Sequence, residues 1–136
     1  MNKIAGKIKY IESSDSISLL EIDTEIGGMC AVVVETSETA GYLKIGREVY
    51  VLFKEIEVSI GKNISGMLSM RNKIPCTVKE IKKGKVLTRL ILKCRSKTIK
   101  SVITTKSANE MNVNVGDEVI AFIKTNEITL MEKSDG

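Results

Sequence analysis

The strongest constraint on the fold is an internal repeat: displaced by 70 positions, residues 2–63 align on 72–133 without a gap. Asn2-Lys3-Ile4 falls on Asn72-Lys73-Ile74, Lys9 on Lys79, Ile11 on Ile81, Leu20 on Leu90, Val32 on Val102 and Ser37 on Ser107. Gly46 falls on Gly116, Glu48-Val49 on Glu118-Val119, Lys54 on Lys124 and Glu57 on Glu127. These 13 identities compare with the roughly four expected by chance at average residue usage, so the chain is a duplication. Two tandem domains follow, residues 1–66 and 67–136, joined around residues 62–68 (KNISGML).

Each half reads as strands. Period-2 alternation and β-branched runs place them at 4–11, 17–22, 30–34, 49–53 and 56–60, and again at 74–81, 86–93, 98–103, 118–123 and 128–131. Strands three and four are separated by a polar stretch, and in the second copy Ser107-x-x-Glu110 has the spacing of a capping box, which predicts a short helix there. Gly46 and Gly116 fall in the turn entering strand four, where a positive φ is expected. The fold class is therefore all-β, two tandem five-stranded OB-like barrels, each with a short helix between strands three and four. A domain of about 65 residues buries little apolar surface by itself, so association is expected, with two domains in a chain or several chains together sharing cores and covering strand edges.

Composition excludes several functions. Hydrophobic residues at 43% and charged residues at 28% are those of a globular chain. The longest uncharged apolar run, residues 29–34 (MCAVVV), is far short of the ~20 residues that span a bilayer. The N-terminus shows no apolar signal-peptide core, so no membrane partner and a cytoplasmic location are expected. Histidine is absent, removing the commonest general base and transition-metal ligand. With no evident nucleophile–base pair and no metal-binding cluster, the chain reads as a non-enzyme without cofactor or free cation. Cys30, Cys76 and Cys94 are odd in number and contain no CxxC pair, which argues against a disulfide framework; Cys30 reads as core. Stacking platforms for nucleic acid are scarce: the aromatics are Tyr10, Tyr42, Tyr50, Phe53 and Phe122.

Charge is unevenly divided, −3 over residues 1–68 and +7 over 69–136. The lysines at 79, 82, 83 and 85 belong to a hairpin and read as a solvated turn. Three segments carry donors suited to an anion. Ser69-Met70-Arg71-Asn72 combines a hydroxyl, a planar guanidinium fork and an amide. Thr104-Thr105-Lys106-Ser107 opens the predicted helix, where hydroxyls cap the helix or, with free backbone N–H groups, hold an anion. Lys124 ends an apolar strand and is echoed by Lys54. None of these donors has an acidic partner close in sequence, the arrangement a small tetrahedral dianion requires.

At these residues the second copy, SMRNKIPCTVKEI…VITTKSANEMNVNVGDEVIAFIKTNEITL, resembles the molybdate-binding Mop domain of the TOBE (transport-associated OB) group. The first copy is similar more loosely, so the pair resembles the di-Mop proteins. The resemblance implies cytoplasmic binding of molybdate or tungstate for storage or homeostasis, without catalysis. The alternative it implies is the sensing half of a molybdate-responsive transcription regulator. No helix-turn-helix region and no GxxxxGK[ST] loop accompanies the pair. Carried over residue by residue, the oxyanion site is Ser69, Arg71, Asn72, Thr104, Ser107, Lys124 and Thr125, with Asn72 and Thr125 acting through their backbones. Ser37 and Lys54 are the equivalents in the first copy, where Val34 replaces Thr104, Glu35 replaces Thr105 and Ser-x-Arg is missing. The family's sites lie between domains of different subunits, which implies a homo-oligomer: a trimer of two-domain chains, or the dimer that the regulators form.

Overall fold

The computed structural model describes residues 1–134. Ten strands make two five-stranded antiparallel sheets. The first half supplies β1 (Asn2–Ser14), β2 (Ile17–Thr24), β3 (Gly27–Val33), β4 (Glu48–Phe53) and β5 (Ser59–Gly61). The second supplies β6 (Asn72–Lys83), β7 (Leu87–Cys94), β8 (Lys97–Thr104), helix α1 (Thr105–Glu110), β9 (Glu118–Ile123) and β10 (Thr129–Glu132). Alternation sets each strand's inward face. On β6, Asn72, Ile74, Cys76 and Val78 point in, while Lys73, Pro75, Thr77 and Lys79 point out. The single proline thus lies outward, where it interrupts no core packing.

The duplication is visible in backbone detail. The β1/β2 register slips at Lys9 and the β6/β7 register at Lys79, the same repeat position, so both long strands bend there. That bend lets the start of β1 pair with β4 and its end with β2, as β6 does with β9 and β7. Gly46 and Gly116 hold φ of 92° and 95°, and each donates its N–H at 2.8 Å to the carbonyl preceding the bulge, Ile8 or Val78.

The sheets are not self-contained. Their strand orders are β10-β4-β1-β2-β3 and β5-β9-β6-β7-β8, so each half gives its last strand to the other. After β4 the chain makes a 3₁₀ turn at Glu55–Glu57 and crosses to pair β5 with β9; after β9 the turn Thr125–Glu127 leads β10 back to β4. One apolar cluster accordingly runs through both halves, from Ile8, Leu20 and Phe53 to Val78, Leu92 and Ile123. The sharing of cores and covering of edges expected from domain size is realised by this exchange.

Four expectations are corrected. In the first half the helix between strands three and four does not form. Thr104 caps α1 by accepting the Ser107 N–H at 3.0 Å, and Ala108 buries beneath it. The first copy has Val34 and Glu38 at those positions, and its Thr36–Ala40 segment closes only a single turn. The cap of α1 is also Thr104, one turn earlier than the Ser107-x-x-Glu110 spacing implied. The apparent alternation at 56–60 is mostly not strand: Ile56 is 68% exposed on the 3₁₀ turn, and β5 starts at Ser59. Finally, Cys76 and Cys94 form a cross-strand disulfide with Cα atoms 4.7 Å apart. Cysteine spacing gave no hint of it, because the pairing depends on the β6/β7 register.

Candidate functional site

Two identical asparagines hold the halves together. β3 and β8 are the outer strands of their sheets, each with one row of backbone groups left over. Asn72 accepts the Cys30 N–H at 2.7 Å and donates to the Cys30 carbonyl at 2.9 Å and the Ile123 carbonyl at 3.0 Å. Asn2 does the same on the other side, accepting the Lys100 N–H at 2.8 Å and donating to its carbonyl at 2.9 Å. Cys30 and Lys100 are themselves repeat equivalents. Each amide stands in for a neighbouring strand, and Asn72, 1% exposed, has its side chain fully committed to that task.

The other candidates fall at two ends of the second sheet. Asn72 pairs with Ile123, so Arg71 and Lys124 are the next residues past that end of the β6/β9 ladder, with Thr125 beyond and Ser69 exposed just upstream. Thr104 pairs with Leu87 beside the β6–β7 hairpin, at the far end of β6, where its hydroxyl donates to Ser107 Oγ at 2.8 Å. Ser37 lies in the equivalent first-half turn, and Lys54 opens the 3₁₀ turn at the crossover end. The register therefore brings Arg71, Asn72, Lys124 and Thr125 to one end and leaves Thr104 and Ser107 at the other.

Electrostatics at the crossover end were not legible from local sequence. Arg71 reaches over the first sheet, with Nη2 3.9 Å from Glu21 Oε1 and 3.8 Å from Cys30 Sγ, beside a groove of about 450 Å³ that Lys9, Tyr10 and Asp23 also line. The donors read as having no acidic partner close in sequence; Glu21, 50 residues from Arg71, arrives through the fold. Both side chains are largely exposed, so this contact is a weak, displaceable one. Near Lys124, the repeat-equivalent carboxylates Glu57 and Glu127 meet. Burial, then hydrogen bonding and repulsion from Glu57, push the Glu127 carboxyl up, and Lys124 pulls it partly back. Glu57 also accepts the Lys54 N–H at 3.0 Å. Sequence reasoning passed over this pair and the Asn2 clamp, although the signal was present: both are identities of the repeat.

The two OB-like units thus bring Arg71 and Lys124 to one end of the β6/β9 ladder, with Glu21, Glu57 and Glu127 close by. Residues 68–130 match the TOBE domain. Across 97% of this chain and 96% of the other, the fold superposes with a TM-score of 0.91 and 26% identity on ModG, described as a cytoplasmic molybdate-binding protein and crystallised with molybdate bound. The molybdenum import ATP-binding protein ModC of Brucella abortus (strain 2308) is 32% identical over 69 residues, 50% of this chain and 19% of that protein. The ModC protein of Brucella suis biovar 1 (strain 1330) matches to the same extent. This chain therefore spans about a fifth of the curated relatives' length. Its second half carries a TOBE domain, and the first half repeats the same strand order.

Proposed function

We propose that the protein binds molybdate or tungstate in the cytoplasm, for storage or homeostasis and without turnover. The observation that carries this reading is the near full-length superposition on molybdate-bound ModG. The chemistry agrees with it. Charge-assisted bonds from Arg71 and Lys124 would supply most of the attraction for a tetrahedral dianion, and hydroxyls and backbone N–H groups would fix its oxygens. Sulfate carries the same charge, so its rejection would rest on cavity size.

Thr104 and Ser107 lie at the opposite end of β6 from Arg71, so one chain does not assemble the whole donor set. In our reading a second copy brings its Thr104 end to the Arg71–Lys124 end of the first, and the working unit is a homo-oligomer, with a trimer favoured. Ligand and assembly are then linked, each stabilising the other.

Calorimetric titration with molybdate, with sulfate as control, tests this on protein of checked oligomeric mass. Arg71→Ala should weaken molybdate binding by about 10- to 100-fold, the worth of a charge-assisted bond, whereas Lys82→Ala on the exposed hairpin should change it less than about twofold. Equal losses in the two variants would remove Arg71 from the site; no saturable binding by the wild type would overturn the function.

A further inference from the structure

We propose that Cys76 and Cys94 are a reversible thiol–disulfide pair, a modification site of the second domain that is entered through the groove at Cys76. Beyond the pair Thr77↔Lys93, the register sets the two cysteines opposite one another across β6 and β7, 18 residues apart in sequence. The first copy carries Gly6 and Thr24 at the equivalent positions, also registered on each other, so an OB-like unit closes without sulfur there. The pair is thus an addition to the scaffold and not a condition for it.

The two sulfurs are unequally placed. Both side chains face the core, Cys94 wholly buried and Cys76 5% exposed, and of the two only Cys76 is among the residues lining a groove of about 460 Å³. Lys93, Arg95 and Glu118 line the same groove, giving it two cations against one carboxylate. The two cations would draw a small thiolate into the groove, and Cys76 is the less buried end of the bond and the nearer to it. The third cysteine, Cys30, lies against Arg71 on the other sheet and has no cysteine partner among the described residues.

The co-reactant is a small thiol–disulfide couple of the glutathione class. Its thiolate attacks Cys76 Sγ, forming a mixed disulfide and breaking the bond to Cys94, which leaves as a thiolate and takes up a proton. A second thiolate attacks the outer sulfur of the mixed disulfide, releasing the small disulfide and the Cys76 thiolate. Two small thiols are oxidised and the protein pair is reduced; oxidation runs the same steps backwards.

The test equilibrates the full chain with glutathione at graded reduced-to-oxidised ratios, quenches it in acid, and counts thiols by alkylation and mass spectrometry after unfolding. One free thiol is expected at the oxidising limit and three at the reducing limit. The oxidised form should melt about 5–10 °C higher, from closure of the 18-residue loop. Cys94→Ala should trap glutathione on Cys76, while Cys76→Ala should leave Cys94 unmodified until the protein is unfolded. A thiol count that stays constant across all ratios would overturn the proposal on the wild type alone. Native labelling of Cys94 in Cys76→Ala as fast as that of Cys76 in Cys94→Ala would overturn the assigned route.

Discussion

Replacing Asn72 with alanine should be among the most damaging single changes in this protein. The side chain makes three hydrogen bonds at 1% exposure, and truncation leaves the Cys30 N–H and C=O without a partner at the outer edge of β3. Each orphaned buried polar group costs about 1–3 kcal/mol, and partial entry of water softens the sum, so a loss of about 3 kcal/mol is predicted. With an unfolding entropy of about 2.1 cal/mol/K per residue, this lowers the Tm by about 10 °C. Asn72→Asp should cost more, because a carboxylate would face the carbonyls of Cys30 and Ile123 that the amide now donates to. Urea unfolding monitored by circular dichroism at several protein concentrations measures the change while separating it from any effect on association. The exposed Asn126 provides the control as Asn126→Ala. If Asn72→Ala lies within about 0.5 kcal/mol of that control, the clamp does not hold the halves together and the reasoning fails.

Three further outcomes follow from the same geometry. Ser101 is buried and donates to the Val58 carbonyl at 2.6 Å, tying β8 to the crossing segment; Ser101→Ala should cost about 1–2 kcal/mol by urea unfolding, with an unchanged m-value. Tyr42 is pushed up to about 12, by burial first and then by the charge of Glu35, whose Oε1 accepts its hydroxyl at 3.1 Å. The folded state thus favours the neutral phenol, and this contribution is intact below pH 10 and lost as pH rises towards 12. Tyr42→Phe should flatten that part of the stability–pH curve, and an unchanged curve would refute the assignment. Asp117 is held below its ordinary value by the Lys62 ammonium at 2.9 Å and by the Asn114 N–H, so it supports folding above pH 3.8 and ceases to as acid protonates it. Acid titration of Lys62→Met should show a shallower decline than the wild type over that range.

Sequence reading reached further into the fold than into the site. The repeat, the strand positions and the glycine turns rest on local rules, in which side-chain period, β-branched residues and the φ that only glycine adopts cheaply act over a few neighbours. The first-half helix was misjudged because the capping box was read at Ser107, which has Ser37 as its equivalent, whereas the cap is Thr104, replaced in the first copy by Val34, which has no acceptor to offer. Asn72 shows the limit at the site. Its donor chemistry was legible and its address was not: the groups it pairs with belong to Cys30, 42 residues away, and to Ile123, 51 away. Glu21 beside Arg71 and the Cys76–Cys94 pair were hidden for the same reason, since register and chain crossing create those contacts.

By itself, the sequence determined that the chain is a duplication, that its units are five-stranded and OB-like, and that its basic, hydroxyl-rich segments are concentrated in the second copy. The tertiary structure decided which strand completes which sheet. Exchange of β5 and β10 covers the open edges of β9 and β4 and merges two small cores into one, a gain set by total buried area that no local pattern encodes. It also decided that Arg71 and Lys124 share one end of β6 while Thr104 and Ser107 occupy the other. Hydrogen-bond register converts sequence separation into distance, and it does so only once the strands have paired.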